Sequence, residues 1–200
     1  MNTTVLQEKL AAVESLYQYA EDMQEVFLPY AAQVAAVMQP LTQSPYHSDI
    51  RLNACMALPR LLYATVHGLH AKRADMAPAA AFLSATVASL IEALRTEVNS
   101  ETRVAIVESL KDTTALCYEA EDESGRPLLR VSESDAAAII TALCEATKGS
   151  QERRLSVAKR YTAAGEIDEA AAESMHNELL GEIDLMDFAV DAMGYVLKVG

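Results

Sequence analysis

The sequence predicts an all-α protein, a stack of antiparallel helical hairpins, on three observations. Of its 200 residues 51% are hydrophobic and only 7 are Gly and 6 Pro, so there are few breakers and much apolar surface to bury, and the Ala- and Leu-rich mixture favours helix over strand. Apolar residues recur at the helical period in one segment after another, with short polar turns between them. From one odd-numbered segment to the next the interval is about 45 to 52 residues, a recurrence that a closed four-helix bundle would not show.

The elements follow in order. Thr4-Val5-Leu6-Gln7 has the form of a capping box, and Leu6, Leu10, Val13, Leu16, Tyr17 and Ala20 follow at helical spacing, so a first helix is expected over about 4–23. Pro29 suits the first turn of a second helix over about 28–43, with Tyr30, Val34, Val37, Met38 and Leu41 as its stripe and Pro40 bending or ending it. Ser48 or Asp49 caps a third helix reaching about Val66, kinked at Pro59 and stopped by Gly68. Asp75 and Pro78 open a fourth, striped by Leu83, Val87, Leu90, Ile91 and Leu94. Ser100 caps a fifth, carrying Val104, Val107, Leu110, Thr114 and Cys117.

After an acidic loop from Glu119 to Pro127 the pattern changes. Ser132 caps one long helix over about 133–163, with Ile139, Ile140, Leu143, Cys144 and Thr147 in phase with Leu155 and Ala158, weakened at Gly149. Arg153, Arg154, Lys159 and Arg160 make its distal half basic, and the chain then turns acidic through Glu166, Asp168, Glu169 and Glu173. A last helix has its stripe at Ile183, Met186, Val190, Met193 and Leu197. The expected organisation is hairpins over 1–130 and a long charged helical hairpin over 131–200 that continues the stack, its basic and acidic arms held together across the turn near Ala163 to Gly165.

The stretch from Ser48 to Leu62 reads as the first helix of a HEAT repeat. It has an acidic residue, an aliphatic followed by Arg, Ala at three-residue spacing and a closing Ala-Leu. Ala54 and Ala57 would let a neighbouring helix approach closely, and Ile50, Leu58, Leu61 and Leu62 would supply the buried stripe. Asp49 and Arg51 would lie near the repeat interface and pair with their equivalents, so Asp49, Arg51, Ala54, Ala57 and Leu58 are the expected repeat-packing residues.

A formal net charge of -13 opposes binding to phosphate backbones or anionic lipid and attracts basic partners. Cys55, Cys117 and Cys144 each lie in an apolar helical pattern and are expected as reduced core thiols in an intracellular protein. The opening residues lack a secretory pattern, and no run of about 18 apolar residues is expected to span a membrane. Glu173-Ser174-Met175-His176 has the E-x-x-H spacing of di-iron bundles, but among 29 acidic residues and with no second copy it is expected to hold no metal. His67 and His70 have no zinc-spaced partners and read as surface histidines in a turn. There is no Gly-rich phosphate loop, no nucleophile elbow and no Cys with an evident His partner, so neither catalysis nor a cofactor is expected.

The chain from Glu8 to Ala20 resembles the first helix of a C-terminal-half repeat in the importin-β (karyopherin-β) superfamily of nuclear transport receptors, most closely its importin beta-three type. Phe27, Tyr30, Val34 and Met38-Gln39-Pro40-Leu41 resemble the partner helix, and the 48–62 helix the next repeat. Gln151 to Arg154 and the acidic stretch at 166–187 resemble that type's long charged helical excursion. Members are several times longer and their N-terminal Ran-binding repeats have no counterpart here, so the resemblance implies a piece of a larger receptor. It implies an α-solenoid that binds cargo, nucleoporin Phe-Gly repeats and RanGTP in the cytoplasm, nucleus and nuclear pore. Glu166, Asp168, Glu169, Glu173, Glu178 and Glu182 are the candidate contacts for basic cargo. A HEAT scaffold, such as a phosphatase regulatory subunit, is the alternative; a helical-bundle metalloenzyme is the third.

Overall fold

The structure, a computed structural model, describes residues 3–163 and 169–199. Among the described residues seven α-helices follow in order: α1 (Thr3–Met23), α2 (Leu28–Leu41), α3 (Ser48–His70), α4 (Met76–Thr96), α5 (Ser100–Glu119), α6 (Glu133–Ala163) and α7 (Glu169–Val199). A short 3-10 turn, Gln24–Phe27, joins α1 to α2. No strand forms among the described residues; the loop after α5 holds one isolated bridge, Glu121 to Pro127.

The helices pack in two rows. In one, α1 lies on α3, α3 on α5 and α5 on α7; in the other, α2 touches α4 and α4 touches α6. Pairs α2–α3, α3–α4, α4–α5 and α6–α7 join the rows, and α1 and α7 share no extensive contact. This order is compatible with a stack of hairpins. At its centre α3 is covered on four sides, and Ile50, Ala54, Cys55, Ala57, Leu58, Leu61 and Leu62 are fully buried. Its Ala pair leaves no volume for added methylenes. Ala54→Leu or Ala57→Leu should therefore destabilise the protein by about 1–3 kcal/mol. Thermal melts decide this, and unchanged stability in both variants would place these alanines at a loose surface.

Several boundaries differ from the sequence expectation, each for a local reason. The α3 cap is His47, whose ring Nδ1 accepts the Asp49 amide at 3.2 Å, and the α5 cap is Asn99, whose Oδ1 accepts the Thr102 amide at 2.9 Å. Ser132 does cap α6, its hydroxyl accepting the Asp135 amide. Gly68 does not stop α3. A Cβ there would come within 2.7 Å of Leu28 Cδ2 and 3.2 Å of Ala74 Cβ, so this glycine admits α2 and the following turn at close range. The helix ends two residues later, where Lys72 takes φ +55° and the Arg73 and Ala74 amides both return to the Gly68 carbonyl.

The apolar stripe of α7 is shifted by one residue from expectation. Leu185, Ala189, Ala192 and Val196 face α5, whereas Ile183, Val190 and Leu197 are exposed. The helix is apolar on two faces, and its fit against α5 selects the face with the small residues. Likewise Val157, not Leu155, is the buried residue of distal α6, and Tyr30 and Val37 of α2 are exposed. The α6–α7 hairpin is therefore no free excursion at its base: α6 lies on α4 and α7 on α5. Beyond that base, Val157 is the one buried residue in the described parts of 151–181.

The expectation that no segment is apolar enough to span a membrane is corrected for α4. An 18-residue window of this helix reaches a mean hydropathy of 1.6, enough by length and composition to cross a bilayer. Here Leu83, Val87, Leu90, Ile91 and Leu94 are buried, and α2, α3, α5 and α6 pack around the helix.

Candidate interaction surfaces

Five charged side chains link the α3–α5–α7 row from inside. Arg51 of α3 donates through Nε and Nη2 to the two oxygens of Glu97 at 2.6 and 2.8 Å, and through Nη1 to the Ser44 carbonyl at 3.0 Å. Glu97 sits in the α4–α5 turn with a side chain only 1% exposed and also accepts the Val98 and Asn99 amides. One helix further on, Arg103 of α5 donates to the Val98 carbonyl and lies 3.4 Å from Glu182 of α7. Arg153 of α6 clamps the same carboxylate, through Nε and through Nη2 at 2.9 Å. Ser150 adds a bond to the Glu182 carbonyl.

Burial alone would raise the carboxyl groups of Glu97 and Glu182, but the guanidinium and other hydrogen bonds outweigh it and hold both below the usual carboxylate value. Burial first and then the charge of Arg153 lower Arg103. A carboxylate whose folded-state value is depressed contributes stability above its unfolded value, near 4.5, and loses it as pH falls through the lowered folded value. Melting temperature should thus decline on acidification below about pH 4.5, and Glu97→Gln should flatten that decline. Parallel acid limbs in the variant and the parent protein would contradict it.

Of the expected repeat-packing residues, the structure buries Ala54, Ala57 and Leu58 and places Arg51 at the α3–α5 junction. It corrects the pairing. The partner of Arg51 is Glu97, upstream of α5, while Asp49 stays local, bonded to Ser48 and beside His47. The ladder escaped sequence reasoning, though a signal was there: Ser48-Asp49-Ile50-Arg51 recurs 52 residues on as Ser100-Glu101-Thr102-Arg103, which marks Arg51 and Arg103 as matched positions.

The six acidic candidates separate. Glu169 and Glu173 are exposed at the start of α7. Glu178 pairs with Arg160 across the hairpin at 2.7 Å, which realises the expected attraction between the two arms. Glu182 is corrected outright: it is buried, neutralised by Arg153 and Arg103, and turned away from any partner. Glu166 and Asp168, with the turn near Gly165, lie outside the described residues.

Apolar depressions open on the surface of the described residues, and two of them lie along α2. One of about 360 Å³ lies between α2 and α4, lined chiefly by Ala31, Ala32, Ala35, Ala36, Pro78 and Phe82. The other, of about 520 Å³, lies along α1 and α2 around Tyr19, Met23, Phe27 and Tyr30. Burial pushes the Cys117 thiol up to about 12 and raises Cys55 as well, so neither is a ready nucleophile. Among the described residues no three His, Cys, Asp or Glu side chains gather as a metal site, and His176 of the E-x-x-H pair is exposed. No protein-family model matches the chain.

Proposed function

We propose that this chain is a HEAT-repeat segment of an importin-β-type nuclear import receptor, a binding module and not an enzyme. The observation that supports this best is the two-row order of helix contacts, with matched Arg51 and Arg103 at successive positions of one row. Stacked hairpins of this kind expose long surfaces built from many helices, which suit multivalent, individually weak contacts. On this reading the acidic start of α7 attracts basic cargo, and the α2–α4 depression accepts the aromatic ring of a Phe-Gly repeat. RanGTP is a partner of the receptor as a whole, which works between cytoplasm and nucleus through the pore.

A labelled Phe-Gly peptide titrated with the chain tests the reading. Weak, saturable binding is expected, abolished by Ala36→Trp, which fills the depression from an exposed position. No binding, or binding indifferent to Ala36→Trp, would remove the pore-protein role and favour a HEAT scaffold.

A further inference from the structure

Between α4 and α6, at the turn into α5, lies a crevice of about 260 Å³ lined by Arg95, Arg103, Arg153, Glu97 and Glu145 together with Gly149 and neighbouring apolar residues. A water takes about 30 Å³ of liquid volume, so the space holds several waters or one oxyanion with part of its hydration. We infer that this crevice is a binding site for a phosphate-class oxyanion.

The charges inside do not balance. The lining carries three guanidiniums, Arg95, Arg103 and Arg153, against Glu97 and the exposed Glu145; Arg51 and Glu182 adjoin the crevice without lining it, so the buried carboxylates nearby are Glu97 and Glu182. Both carboxylates are spoken for: Glu97 by Arg51 and two backbone amides, Glu182 by Arg153 and Arg103. A positive excess remains beside Arg103 and Arg153. The Nε of Arg103 is buried and has no hydrogen-bond partner. That N–H is closed off from the crevice as well; the group left over for a ligand is Arg153 Nη1, which takes no part in the clamp on Glu182 and lies beside Gly149 on the crevice wall.

The surroundings favour the same ligand. Arg95 is exposed on the crevice rim and forms no ion pair among the described residues. Gly149 keeps the space beside Arg153 clear, since a Cβ there would come within 3.0 Å of Arg153 Nη1. Guanidinium forks match tetrahedral oxyanions in geometry as well as charge. Glu145 is the built-in opponent, an exposed carboxylate on the same wall. The net charge of -13 repels anions at long range, so binding is weak and depends on close contact.

Calorimetric titration of inorganic phosphate at constant ionic strength tests this, with Arg95→Gln and Glu145→Gln alongside; both positions are exposed and outside the ladder, and circular dichroism verifies their fold. Saturable binding with a Kd on the order of 1 mM is expected, weakened about 2–5-fold in Arg95→Gln and tightened about 2–5-fold in Glu145→Gln. A second arm compares a phosphoserine peptide with its unphosphorylated form. Tighter binding of the phosphopeptide assigns the site to a phosphorylated partner, and binding of phosphate alone assigns it to the free ion; either supports the site. Absence of saturable binding in both arms, or equal affinity in all three proteins, overturns it.

Discussion

Glu182→Ala should destabilise the protein by about 3–5 kcal/mol. The reason is what it leaves behind. Arg103 and Arg153 share this carboxylate, and with it removed two neighbouring guanidiniums face each other at 14% and 31% side-chain exposure with no anion between them. Burial and then the charge of Arg153 already lower the proton affinity of Arg103 with Glu182 in place. Because the carboxylate ties α5, α6 and α7 together, the loss should appear as earlier melting of the 133–199 hairpin, with α1–α4 retaining helicity to higher temperature. Glu182→Gln keeps the shape and removes the charge, so it should lie between the two. Urea unfolding measures all three, and a loss under about 1 kcal/mol for the alanine variant would show that Glu182 behaves as a surface charge.

Leu58→Ala comes next, at about 2–5 kcal/mol. Leu58 is fully buried on α3, the helix that touches α1, α2, α4 and α5, so the surrounding elements are pinned from four directions and have little freedom to close over the cavity. Poor collapse pushes the cost toward the upper part of that range. Leu16→Ala on α1, half-buried beside a single neighbouring layer, should cost less. Equal losses at the two positions would mean that α3 is no more central than the edge of the stack.

The helices themselves were legible because their signals are local. Ser132, Pro29 and the period of Leu83, Val87, Leu90 and Leu94 act within a few residues, and the elements they announce are present. Where a helix offered two apolar faces the sequence could not choose. On α7, Ile183-Val190-Leu197 and Leu185-Ala189-Ala192-Val196 are both plausible stripes, and only the complementarity with α5 selects the second. Gly68 carried a similar ambiguity. Its lack of a side chain reads as a helix stop in one dimension and as room for Leu28 in three.

The candidate surface was half legible. Charge composition points to opposed arms in the terminal hairpin, which Arg160–Glu178 bears out, and of the expected acidic face Glu169 and Glu173 are exposed. It does not tell a solvated glutamate from a buried one, since that depends on which arginine lies opposite. Glu182 reads as a surface contact for this reason, and nothing in the sequence singles out Glu97, which anchors the α3–α5 junction, among 29 acidic residues. The recurrence of Arg51 and Arg103 at matched positions was the one sequence clue to both.

The central claim, an acidic hairpin surface on a stacked helical module that recruits basic cargo, is tested most directly by titrating a Lys/Arg-rich peptide into the chain and into a variant with Glu166, Asp168, Glu169 and Glu173 changed to Lys. The reversal sets both arms of the hairpin at like charge, so circular dichroism must show retained helicity before affinities are compared. The account predicts binding several-fold weaker in the variant at low salt, with the difference shrinking toward physiological ionic strength, where charges more than about 8 Å apart are screened. Unaltered affinity at low salt in a folded variant would contradict it and leave the acidic surface with solvation as its role.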